Sequence, residues 1–202
     1  MKAVIINYHA GNIRSVMFAL ERIGVNAVLS DNTEEICSAD KVVFPGVGEA
    51  SSAMRYLKEK KLDEVIKNLK QPVFGICLGM QLLCKHSEEG DTDCLGIFDV
   101  NIKRFSPFEE DARRGGDIKV PQIGWNKIYD LRSPLFAGIK ENEYVYFVHS
   151  YYAEKNKSSI ASANYITEYC CALQKDNFYA AQFHPEKSAA AGEQMLKNFF
   201  AL

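Results

Sequence analysis

No stretch of this sequence approaches the ~20 consecutive apolar residues that a bilayer-spanning helix requires, and no C-x-x-C pair occurs in it. The first absence argues against a membrane protein. The second argues against a zinc site, since the adjacent Cys170-Cys171 is not a usual ligand spacing. A charge excess is missing too: 24 Lys and Arg stand against 26 Asp and Glu, for a net charge of −2. Bulk electrostatics therefore hold neither a nucleic acid nor an anionic membrane. The opening segment, MKAVIINYHAGN, has too short an apolar run and no small-residue cleavage pattern for a signal peptide. It reads as a first strand of a cytoplasmic protein. In that reducing setting five of the six cysteines, Cys37, Cys84, Cys94, Cys170 and Cys171, are expected to be small core hydrophobes. Cys77 is the exception.

What is present is ordinary globular composition, 47% hydrophobic and 25% charged over 202 residues, enough for one sizeable core. No repeat, low-complexity tract or linker divides it, so residues 1–202 are expected to form a single domain. The first half alternates short apolar runs with helical periodicity. KAVIINY, NAVLSD, KVVFPG at 41–46 and PVFGIC at 72–77 read as strands. GNIRSVMFALERIG, ended by Gly24, and one long stretch from ASSAMRYL to VIKNLK read as helices. All-apolar strands separated by helices indicate a parallel sheet covered on both faces. The second half is β-rich and aromatic, with SPFEEDARRGGD at 106–117 as an exposed loop and AAAGEQMLKNFFAL as a closing helix. The expected fold is α/β, an open, mixed, mostly parallel sheet with helices on both faces.

Gly75-Ile76-Cys77-Leu78-Gly79 fits a G-x-nucleophile-x-G elbow, a tight strand-to-helix turn that projects the central side chain. A cysteine at a helix N-terminus also meets the positive end of the helix dipole, which favours the thiolate. A thiolate nucleophile needs a base, and there are four histidines: His9, His86, His149 and His184. His86 is expected to ride the same helix as Cys77, pointing away from the elbow. His9 follows the first strand and reads as a loop residue. His149 and His184 both stand near the ends of β-like runs, where active-site groups collect in open α/β sheets. His184 has the better context, because Glu186 follows two residues on, past a stiffening Pro185. On an extended strand the two would share a face, and Glu186 would orient the imidazole toward the thiol.

With the elbow continuing to Gln81 and the distant His184-Pro185-Glu186, the sequence resembles the class I glutamine amidotransferases. The resemblance implies hydrolysis of L-glutamine to glutamate and ammonia through Cys77, His184 and Glu186, with no metal and no organic cofactor. It further implies an oxyanion strand at Pro45-Gly46-Val47-Gly48. The N–H groups of Val47 and Leu78 would serve the oxyanion, and Gln81 and Glu89 would hold the substrate. Within that family Tyr8-His9-Ala10-Gly11-Asn12, Pro121-Gln122-Ile123-Gly124-Trp125-Asn126 and Tyr146-Phe147-Val148-His149-Ser150-Tyr151-Tyr152 resemble the glutaminase subunits of imidazole glycerol phosphate synthase. That implies a heterodimer with a (β/α)8 barrel cyclase, docked around Trp125, Asn126 and Lys187. An isolated subunit would be nearly inactive until docking turns the Gly46-Val47 peptide toward the oxyanion.

Some positions depart from the family pattern: Asn7 and His9 stand in its usual "DYG", Gln122 replaces a histidine, and "GVGEA" at 46–50 replaces "GVGAF". These raise an alternative, a paralogous glutaminase supplying ammonia for amidino groups on surface sugars. Cysteine hydrolases of γ-glutamyl substrates share the elbow but give no reason for "GWN". A non-catalytic docking module would not need all three of Cys77, His184 and Glu186.

Overall fold

The computed structural model describes residues 1–8, 11–106 and 119–202. His9 and all but the first residue of the loop expected at 106–117 lie outside the described residues. The parallel half of the main sheet comprises β1 (Ala3–Ile6), β2 (Ala27–Ser30), β3 (Lys41–Gly46), β4 (Val73–Cys77) and β13 (Phe178–Ala181), in the order β2-β1-β3-β4-β13. Beyond β13 the sheet continues through β12 (Glu168–Lys175), β10 (Tyr151–Ala153), β7 (Asn101–Arg104), β5 (His86–Ser87) and β6 (Thr92–Asp93), with β11 (Ser159–Asn164) also paired to β12. The β12–β13, β10–β12 and β7–β10 pairings are antiparallel. A separate two-stranded ribbon joins β8 (Gln122–Ile128) to β9 (Glu143–His149). The expected mixed α/β sheet is the one observed.

Alternate residues of the parallel strands feed two cores, which is why these strands read as unbroken apolar runs. Val4, Ile6, Val42, Phe44 and Val73 pack on one face against Met54 and Leu57 of α3 (Ala50–Glu59), Leu62 and Ile66 of α4 (Leu62–Asn68) and Met80 of α5 (Leu78–Leu83). Ile5, Val43, Phe74 and Ile76 pack on the other face. Their partners there are Val16 and Leu20 of α1 (Ile13–Arg22), Phe147 of β9, and Met195 and Phe199 of α6 (Ala189–Ala201). Each such fully buried side chain contributes roughly 1.5–3 kcal/mol. Gly24 follows α1 at φ +79°, the left-handed conformation that ends helices.

Four sequence expectations are corrected. The long helix after β3 is two helices, broken at Lys61, which has φ +57°. Leu57 and Leu62 are both fully buried, and five residues along one unbroken helix would turn them about 140° apart. A short helix, α2 (Thr33–Cys37), capped by the Asn32 side chain on the Glu35 N–H, lies between β2 and β3 where none was expected. His86 is not on the helix after Cys77: α5 ends at Leu83, and His86 opens β5. Cys37 is exposed and Cys94 half-buried, whereas Cys84, Cys170 and Cys171 are buried in the core as expected. No helix among the described residues is long and apolar enough to cross a membrane.

Candidate active site

Cys77 ends β4 and caps α5 with φ 54° and ψ −109°, a conformation L-residues adopt rarely and at a cost of about 1–3 kcal/mol. The surrounding glycines make that turn possible. A β-carbon on Gly79 would overlap the Phe44 carbonyl oxygen, and one on Gly75 would stand 2.7 Å from Leu83 Cδ1. The elbow is thus pressed against β3, and Gly46 of β3 pairs directly with Cys77.

β13 runs parallel to β4 on its other side, with Ala181 opposite Ile76. The next residue, Gln182, is fully buried and its amide lies 3.7 Å from Cys77 Sγ. Two residues further, the His184 N–H donates to the Tyr146 carbonyl at 2.9 Å, which ties the histidine to β9. Its Nδ1 lies 2.7 Å from Glu186 Oε1, with both side chains almost wholly buried. Pro185–Lys187 forms a single 3-10 turn, not the extended strand expected; the turn brings the carboxylate back onto the ring that precedes it. Asn12 Nδ2 donates to the same Glu186 oxygen at 2.9 Å. The other oxygen, Oε2, is buried without a partner among the described residues.

The two buried histidines are shifted in opposite directions. Burial opposes a charge on His184, but its hydrogen bonds and the charges of Cys77 and Glu186 outweigh this and push it up to about 10. His149 goes down to about 4, through burial first and the nearby His184 charge, against a Tyr151 carbonyl contact that favours protonation. Both His149 nitrogens are engaged: Nδ1 with the Tyr151 carbonyl at 2.7 Å and Nε2 with the Tyr169 hydroxyl at 3.3 Å. His86 sits between Asp91 and Asp93 at 3.2 and 3.1 Å, and it does not line the cavity at Cys77. Of the described histidines, His184 is the one held between a thiol and a carboxylate.

A cavity of about 290 Å³ opens at this point, lined by Val47, Cys77, Leu78, Gln81, Glu89 and His184 among others. Gln81 is buried, and its amide donates to Gln182 Oε1 at 2.9 Å and to the Tyr151 carbonyl at 3.3 Å. Glu89 lies in the turn between β5 and β6 and accepts the Ala50 N–H at 2.8 Å. Its carboxyl is raised chiefly by burial, with that N–H opposing and Glu49 adding to the rise. A second cavity of about 370 Å³ shares Val47, Gly48 and Leu78 with the first and is also lined by Tyr8.

The three residues expected at the interface do not share one surface. Trp125 is 52% exposed on β8 and meets Tyr146 edge-on, with ring centroids 5.9 Å apart. Lys187 Nζ stands 5.9 Å from the same Tyr146 ring, and Lys187 also lines the Cys77 cavity. Asn126, facing the other way along the strand, spends its amide on the Asn164 carbonyl at 2.8 Å. Sequence reasoning assigned no role to Asn12 or Gln182. For Gln182 a signal existed, because a glutamine closing the buried run FYAAQF needs a polar partner. Asn12 had no such local signal.

A chain with this geometry can attack an amide carbonyl, protonate the departing amine and hydrolyse the resulting thioester. A family model described as glutamine amidotransferase class-I matches residues 4–202. Over 202 residues, all of both chains, the sequence is 55% identical to imidazole glycerol phosphate synthase subunit HisH of Bacteroides fragilis. It is 56% identical, again over all of both chains, to the subunit of that name from Bacteroides thetaiotaomicron. The Shewanella loihica subunit is 44% identical, covering 98% of this chain and 90% of that one. Among solved structures, a glutamine amidotransferase from Thermotoga maritima superposes with TM-score 0.63 at 16% identity, covering 100% of this chain and 83% of that one. At that identity the likeness is one of fold.

Proposed function

The chain belongs to the class-I glutamine amidotransferase family, and from that premise we propose that it is the glutaminase subunit of an imidazole glycerol phosphate synthase, serving histidine biosynthesis. The observation that carries this reading is the end-to-end match, at 55% and 56% identity, with subunits of that name. The surface-sugar alternative is not favoured, since none of these relatives bears such a name.

In the proposed reaction the Cys77 thiolate attacks the side-chain amide carbon of L-glutamine, forming a C–S bond. The carbonyl oxygen becomes an oxyanion accepting the Val47 and Leu78 N–H groups, and losing one such donor typically costs ~100- to 1000-fold in rate. The leaving nitrogen takes a proton from Nε2 of the His184 imidazolium as the C–N bond breaks, releasing ammonia. Water then gives a proton to His184 and attacks the thioester, expelling the thiolate and leaving glutamate. Glu186, bonded to Nδ1, keeps Nε2 aimed at the sulfur; Asn12 steadies Glu186. Gln81 and Glu89 line the cavity and hold the substrate, Glu89 by accepting from the ammonium group of glutamine.

The partner we assign is a (β/α)8 barrel cyclase in a cytoplasmic heterodimer, to which ammonia passes. Trp125, Tyr146 and Lys187 form the patch that we assign to docking. It continues into the site, because the Tyr146 main chain is bonded to both His184 N–H and Ser188 Oγ. Asn126 is left out of that patch. The test is to mix the chain with the cyclase of its own source and measure glutamate release with and without the cyclase's ribonucleotide ligand. Glutamate released only when both are present is the expected result. Silence with that cyclase, and activity with a paralogous sugar-pathway barrel, would reassign the pathway.

A further inference from the structure

Tyr8 carries a hydroxyl that the triad does not use. Its side chain is 4% exposed, and the oxygen is buried without a hydrogen-bond partner among the described residues. The ring is fixed by the core, 5.1 Å from the Phe44 ring and tilted 52° to it. The hydroxyl is thus held in the core with no described residue satisfying it.

The backbone at Gly46 lies beside it. A β-carbon built on Gly46 would overlap Tyr8 Oη and stand 3.0 Å from its Cζ, so the hydroxyl rests against the Gly46 α-carbon. The Gly46-Val47 peptide is followed by Gly48 at φ +117° and by no regular element until α3 begins at Ala50. Val47 and Gly48 line two cavities, one also lined by Cys77 and His184, the other by Tyr8. A peptide plane points its C=O and its N–H in opposite directions. A Gly46 carbonyl turned toward Tyr8 therefore points the Val47 N–H away from Tyr8.

We propose that Tyr8 is a positioning residue for glutamine hydrolysis: its hydroxyl donates to the Gly46 carbonyl oxygen in the competent state and so holds the Val47 N–H on the oxyanion. The inference rests on the glutaminase reading above. The burial and the nearby Cys77 charge both raise the phenol well above its ordinary range, so it remains a donor at every pH at which the triad works. Glycine at position 46 leaves the space the carbonyl needs beside the ring.

The experiment is Tyr8→Phe, which removes only the oxygen, assayed beside the wild type in the complex with the cyclase in the presence of its ribonucleotide ligand. One hydrogen bond fixing the donor predicts a fall in kcat of roughly tenfold, with KM for glutamine within about twofold. Glutamate γ-semialdehyde, which adds Cys77 to give a tetrahedral oxyanion, should bind more weakly by a similar factor. Ammonia-dependent synthesis by the complex should be unchanged. In the isolated chain Tm should stay level or rise, because an unpaired buried hydroxyl is lost. An unchanged kcat, an equal loss carried by KM, or a lowered Tm would each overturn the proposal. An inactive wild-type complex would instead remove the glutaminase reading, and this inference with it.

Discussion

Asn12 and His184 donate to one and the same oxygen of Glu186, at 2.9 and 2.7 Å. Asn12 begins α1 from a left-handed conformation with φ 67°, so Asn12→Gly keeps the backbone and removes the donor. The expected result is a three- to tenfold fall in kcat, the worth of about one hydrogen bond, with KM for glutamine little changed. Equal kcat in wild type and variant would leave Glu186 steadied by His184 alone.

The two buried histidines predict opposite pH slopes of stability. His184 sits at about 10 against an ordinary 6.5, so its contribution is complete below pH 6.5 and is lost as pH rises through about 10. His149 sits at about 4, so the unfolded chain takes up a proton that the folded chain refuses, and stability climbs between pH 4 and 6.5. Denaturant midpoints of His149→Asn should lose the acid-side slope. Those of Cys77→Ala should still begin their alkaline decline near pH 6.5 but complete it at lower pH and with a smaller total loss, since a partner of the imidazolium is gone. Parallel curves for wild type and Cys77→Ala would contradict the pairing.

Cys77→Ala should abolish glutamine-dependent synthesis by the complex and spare ammonia-dependent synthesis, because the proposed reading assigns the ring-forming chemistry to the partner. Loss of both in a complex that still assembles would break this division of labour.

Trp125→Ala should weaken association with the cyclase by ~30-fold or more, the range of an aromatic anchor. The isolated chain should keep its Tm within about 1 °C, since an exposed ring buries little. Titration calorimetry and a thermal melt read the two effects separately. Asn126→Ala should do the reverse, costing stability through the lost Asn164 contact and leaving affinity nearly intact.

The parts of the site that depend on neighbours in sequence were legible. The elbow at Cys77 declares itself because two glycines at fixed offsets are what a strand-to-helix turn pressed against another backbone requires. The parallel strands were equally plain, because burial on both faces makes them continuous apolar runs. Other features depended on tertiary placement. Whether Glu186 reaches the imidazole by a strand or by a turn is decided by Ser188, which accepts the Tyr146 N–H and donates to the His184 carbonyl at 2.7 Å. The roles of Asn12 and Gln182 follow from strand order, with β13 beside β4 and α1 packed near the turn after it. The break at Lys61 is likewise a packing decision, one that local helix preference would have overruled.

β13 is among the last strands of the chain, yet it lies directly beside β4, so that 105 positions separate Gln182 from Cys77. During synthesis from the N-terminus, the strand and helix that flank Cys77 emerge long before β13, which leads into His184. A nascent chain therefore bears an elbow with no imidazole opposite it. The thiol gains its partner only when β13 slots between β4 and β12, so the site forms through a contact between distant parts of the chain and not within the segment that holds the elbow.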